Sequence, residues 1–138
     1  MTRPRVLIED WLPIEAIGVE SKRERGASSA LPPLYFLHVW WARRPLTTSR
    51  AAILGGVLPA WSPEWPEHLR QRFPDRESYH TWFLQLNGIS KDVVEARKIL
   101  DWARQTGTPV PNPYSGPRAF TVNPSPEDLA IMGDLLEL

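Results

Sequence analysis

Cysteine is absent from the 138 residues. That excludes disulfides, cysteine-based zinc sites and thiol catalysis within this chain. Net charge is absent as well, with 16 Lys/Arg balanced by 16 Asp/Glu, so the chain as a whole is not a strongly basic nucleic-acid binder. No window approaches the roughly 18 consecutive apolar residues of a membrane span. The opening MTRPRVLIEDWLP lacks the long apolar core of a signal peptide. Together with the missing cysteine, this sets the cytoplasm as the expected compartment. Histidine is scarce, and His38, His68 and His80 have no recognisable metal-ligand spacing. Lysine is scarce too: 13 of the 16 basic residues are arginine. Arginine suits bidentate recognition of carboxylate or phosphate and stacks on aromatic rings, although a coding bias toward arginine gives the same count.

The balanced charge is unevenly spread. Residues 1–60 hold eight Lys/Arg and five Asp/Glu, and residues 61–138 hold eight and eleven. The length suits one domain with a sizeable core. Fifteen prolines cluster at 32–33, 59–66, 109–117 and 124–126, where they punctuate helices.

The expected fold is mainly α: one small helical domain with proline-rich loops. Residues 4–12 read as a short strand or an extended arm. A helix over 13–25 starts at Pro13, and its Lys22, Arg23 and Arg25 suit the negative end. A second helix runs over 45–58, with Leu46, Arg50, Ile53, Leu54 and Val57 on one face. Its Gly55-Gly56 pair weakens the end or admits another backbone. A short helix over 66–73 precedes one at 76–87, capped by Asp75 and closed by Gly88, with an apolar stripe of Tyr79, Trp82, Phe83 and Leu86. Ser90 is the expected cap of a helix over 91–106. Residues 107–126, with six prolines and two glycines, read as an extended loop. A last helix, over 126–137, is expected to turn Leu129, Met132 and Leu136 to the core, widened by Ile131 and Leu135.

No complete catalytic constellation is present. There is no Gly-rich phosphate loop, no Gly-x-Ser-x-Gly and no His-Glu-x-x-His. Asn112-Pro113-Tyr114 lacks one proline of the Asn-Pro-Pro-Tyr motif of amino-methyltransferases, and it lies in a proline-rich loop rather than after an apolar strand. The most unusual stretch is LHVWWARRPL, residues 37–46. Trp40, Trp41, Arg43 and Arg44 precede a helix whose N-terminus carries unpaired N–H groups and a partial positive charge. Two cations there cost stability unless an anion joins them. A phosphate, a ligand carboxylate or an internal Asp/Glu, with candidates in the acid-rich second half, would each serve.

LIEDWLPIEAIGVESKRER (7–25) and LHVWWARRPLTTSRAAILGGVLPA (37–60) resemble the N-terminal region, itself of unknown function, of adenine-specific DNA methylases that contain a zinc ribbon. The resemblance rests on Pro13, Ile14, Glu15, Ile17, Ser21, Arg23, Glu24, His38, Trp40 through Leu46, Arg50 and Ala51. It is weaker beyond residue 60, where NPYSGPRAFTVNPSPEDL (112–129) is similar to the stretch before the catalytic domain. The resemblance implies an N-terminal piece of a larger DNA methyltransferase-like protein that uses S-adenosylmethionine and DNA. It makes Arg43, Arg44 and His38 the expected cofactor-binding residues, and Trp40, Trp41 and Arg50 the expected DNA or partner contacts. The family's Asp-Pro-Phe-x-Gly-x-Gly loop, its catalytic Pro-Pro motif and its zinc ribbon are not in these residues, so the chain alone is not expected to methylate. A free-standing DNA- or protein-binding module and a purely structural helical domain are the alternatives.

Overall fold

The structure is a computed structural model, and it describes residues 4–25 and 46–138. Seven α-helices occur among the described residues: α1 (Leu7–Asp10), α2 (Ile14–Arg25), α3 (Leu46–Val57), α4 (Glu67–Arg72), α5 (Arg76–Leu86), α6 (Val93–Thr106) and α7 (Pro126–Leu136). A 3₁₀ turn at Ala119–Thr121 interrupts the expected loop over 107–126. The described residues form no sheet. The only pairing of extended backbone among them is an isolated antiparallel bridge between Val6 and Pro59.

That bridge corrects the expectation for residues 4–12. The arm pairs at one point, through Leu7 N–H to the Leu58 carbonyl at 2.8 Å and Ala60 N–H to the Arg5 carbonyl at 2.8 Å. It then coils into α1, because the Glu9 carboxylate accepts the Val6 N–H at 2.9 Å and closes the first turn.

α5 follows from its sequence most directly. Asp75 accepts the Ser78 N–H at 2.7 Å, and the Ser78 hydroxyl returns to the Asp75 backbone, a reciprocal cap. Tyr79, Trp82, Phe83 and Leu86 are all buried, as their helical spacing requires. Their polar tips are satisfied: the Tyr79 hydroxyl donates to the Pro59 carbonyl at 2.8 Å and the Trp82 indole to Asp128 Oδ1 at 3.0 Å. Trp65 and Phe73 meet Tyr79 edge-on at ring distances of 5.0 and 5.2 Å. Leu7, Leu58 and Leu135 complete this core. A second core joins Ile17 and Val19 of α2, Ala51 of α3, Ile89, Val93 of α6 and Ala119. Leu12 packs against both, and the whole is one small, mainly helical domain.

Two expected faces and one helix start differ. In α3 the buried residues are Thr47, Ala51 and Gly55, while Leu46, Ile53 and Val57 are exposed. The small side chains win because α3 lies tight against the arm and α2: a Cβ on Gly55 would stand 3.1 Å from Leu12 Cδ1 and 3.9 Å from Ile8 Cα. In α7 Leu135 is buried with Ile131 and Met132 packed beside it, but Leu129 and Leu136 face outward. α6 begins at Val93, not 91. Ser90 and Asp92 are engaged by Ser115, whose hydroxyl lies 3.4 Å from Ser90 Oγ and donates to Asp92 at 3.0 Å.

Candidate functional site

Of the three glutamates of α2, Glu20 and Glu24 stand four residues apart on one side of the helix. Glu20 is 1% exposed and Glu24 3%. Carboxylates so deeply placed need donors on every side, and the neighbouring elements provide them.

Glu24 reaches the start of α3. It accepts the Leu46 N–H at 2.8 Å, the Thr47 N–H at 3.1 Å and the Thr47 hydroxyl at 3.1 Å. The first turn of α3 holds no acid of its own, so α2 supplies the anion that a positive helix end attracts. Next to it Ser21 Oγ and Thr48 Oγ1 share a 2.6 Å hydrogen bond. The anion at this helix mouth is therefore internal, and it comes from the first half of the chain rather than the acid-rich second half. The N–H groups of Leu46 and Thr47 are committed to it, so of the three anions considered the internal carboxylate is the one that meets them.

Glu20 binds the Arg23 guanidinium at 2.6 Å and accepts the Ala119 N–H at 3.0 Å. Arg23 also donates to the Gly116 carbonyl at 3.0 Å and lies 4.1 Å above the Tyr114 ring, a cation–π contact. Asn112 Oδ1 accepts the Tyr114 N–H at 3.1 Å, so Asn112-Pro113-Tyr114 forms a local turn with its ring under Arg23. Arg50, half-buried, donates to the Val122 carbonyl at 2.7 Å. The structure thus gathers three stretches that are distant in sequence: the end of α2, the start of α3 and residues 112–122. Arg50, expected to contact DNA or a partner, spends a donor on the backbone here. His38, Trp40, Trp41, Arg43 and Arg44 lie outside the described residues.

A second polar group, which the sequence did not single out, lies between the arm and α5. The Trp11 and His80 rings stack at 3.8 Å with planes 5° apart. Arg76 Nε is 3.8 Å from Asp10 Oδ2. Asp10 Oδ2 and His80 Nε2 are buried and have no hydrogen-bond partner. Burial lowers the His80 pKa; Asp10 opposes that shift and Arg76 adds to it. The imidazole is then neutral at pH 7, with a ring nitrogen able to take a hydrogen bond. A groove of about 520 Å³ borders it, lined by Trp11, His80, Arg76, Thr81 and Lys91 among others. Helical periodicity alone could not reveal the pair, because Trp11 sits between α1 and α2.

A family model described as "Protein of unknown function (DUF1156)" matches residues 11–84, more than half of the chain. The chain belongs to this family. No curated protein matches it, and no solved structure does. The DUF1156 span holds Glu20, Arg23, Glu24, Thr47 and Arg50 together with the Trp11–His80 pair. Their partners Tyr114, Gly116, Ala119 and Val122 fall after it.

Proposed function

We propose that this DUF1156 protein is a non-catalytic N-terminal region of an S-adenosylmethionine-dependent, adenine-specific DNA methyltransferase-like protein. On this reading its Trp40–Arg44 segment helps form the cofactor or DNA site of a downstream catalytic domain. The observation that supports it best is the Glu24 clamp. Glu24 holds Leu46 and Thr47 by their backbones, so α3 has a fixed start. Glu24 also occupies the helix N–H groups, which leaves recognition of an incoming anion to the guanidinium groups of Arg43 and Arg44. Guanidinium pairs bind carboxylate or phosphate in forked geometry.

The test is Arg43→Ala/Arg44→Ala in the native gene product. Titration calorimetry with S-adenosylmethionine reads the cofactor arm, and fluorescence anisotropy with duplex DNA across a salt series reads the other. Loss of two phosphate contacts lowers the slope of log K against log salt by about two, while loss of a cofactor carboxylate contact weakens the cofactor by about tenfold or more at unchanged DNA slope. Unchanged binding of both ligands overturns the proposal.

A further inference from the structure

α5 has a second face. At about 100° per residue, Arg76, Glu77, His80, Thr81 and Leu84 share one side of the helix, away from its buried stripe, and none of the five is buried. Two other segments close this side into the groove of about 520 Å³. Trp11 comes from the link between α1 and α2, and Lys91 from the turn between α5 and α6. A space of that size takes a small molecule.

The lining combines two chemistries. Trp11 and His80 lie flat on each other at 3.8 Å, and both rings keep part of their surface in the groove. With Leu84 beside them they offer a flat, water-excluding patch on which a further ring can stack. The rim adds two cations, Arg76 and Lys91, against one acid, Glu77. Elsewhere the arginines are spent on the fold: Arg23, Arg72 and Arg97 on carboxylates, and Arg50 on a carbonyl. Arg76 reaches Asp10 only at 3.8 Å, beyond hydrogen-bonding distance. Lys91 is exposed and makes no hydrogen bond or ion pair among the described residues. Both cations are therefore open to an incoming anion.

The geometry points to a binding site for a small ligand that joins a flat aromatic ring to a phosphate or carboxylate. The ring lies along the Trp11–His80 pair, and Arg76 and Lys91 hold the anion. Guanidinium takes either anion in forked geometry, and the lysine ammonium adds a point charge. A bare ring leaves the cations unused, and a bare anion leaves the ring surface uncovered. The inference is independent of the methyltransferase reading, which rests on Arg43 and Arg44.

The experiment follows the Trp11 indole N–H signal of the 138-residue chain by NMR, assigned with Trp11→Phe. The probes are AMP and anthranilate, each a ring with an anion, together with adenosine and inorganic phosphate, each half of the chemistry. AMP and anthranilate are expected to shift the signal, AMP binding at least about tenfold more tightly than adenosine or phosphate. The tighter of AMP and anthranilate identifies the anion as phosphate or carboxylate. Arg76→Gln/Lys91→Gln is expected to weaken both by about tenfold, which brings AMP to the level of adenosine. Both side chains are exposed, so circular dichroism of this variant should match the parent. An unmoved Trp11 signal, or AMP no tighter than adenosine or phosphate, overturns the inference in the parent protein alone. Binding indifferent to the double variant overturns it as well.

Discussion

Glu24 accepts three hydrogen bonds at the first turn of a helix to which it does not belong. Removing it leaves the buried Thr47 N–H and hydroxyl and the half-buried Leu46 N–H without their acceptor, and each buried stranded group costs roughly 1–3 kcal/mol. Glu24→Ala should therefore destabilise the fold by about 4 kcal/mol. Glu24→Gln, which keeps one acceptor and loses the charge, should cost about half that. Urea unfolding monitored at 222 nm separates the two. At this scale the sequence was only partly legible. Periodicity assigns a glutamate to solvent by default, so Glu20 and Glu24 did not register as buried. The signal that pointed to Glu24 was indirect: α3 begins Leu-Thr-Thr-Ser with no acid in its first turn, so an anion had to come from elsewhere. Which anion depends on the packing of α2 against α3, and no local pattern encodes that.

Gly88 ends α5 with φ at +73°, and its missing side chain matters again further along the chain. A Cβ there would stand 2.7 Å from the Ala119 carbonyl oxygen and 2.7 Å from Val122 Cβ. The 3₁₀ turn rests on bare backbone. Gly88→Ala should cost about 3 kcal/mol, since backbone strain of about 1 kcal/mol adds to overpacking of about 2. Gly107, at φ +67° with open space around it, should lose only the strain, about 1 kcal/mol. Thermal melts of Gly88→Ala and Gly107→Ala test the order. Elements bounded by such stops were readable: α5 ends beside Gly88, α6 at Gly107, and the α5 stripe is as spaced. Faces made of small residues were not. In α3 a pattern search favours Leu46, Ile53 and Val57, yet close approach of the arm selects Thr47, Ala51 and Gly55.

The Trp11–His80 stack ties the arm to α5 and so couples the whole molecule to pH. Charged groups near it are Asp10 from α1, Arg76 and Glu77 from α5, and Lys91. Burial disfavours the charged imidazole, so the folded protein takes up this proton less readily than the unfolded chain. As pH falls below the ordinary value of 6.5, the unfolded chain protonates first. The stability His80 contributes is then full above 6.5 and declines below it until the folded imidazole protonates too. Urea midpoints from about pH 7.5 down to about pH 5 should fall more steeply for the parent than for His80→Phe, which keeps the stack and removes the titration. An equal fall in both proteins excludes the role.

Glu20 adds an order of events. One of its oxygens is met by Arg23, three residues away, but the other takes its proton donor from Ala119, 99 positions along the chain. On a ribosome that donor arrives last. Until residue 119 has emerged, α2 carries a carboxylate oxygen that the native packing turns inward with no donor to receive it, and water must keep that side of the helix open. Closure of α2 over Glu20 therefore depends on a donor synthesised 99 positions after it.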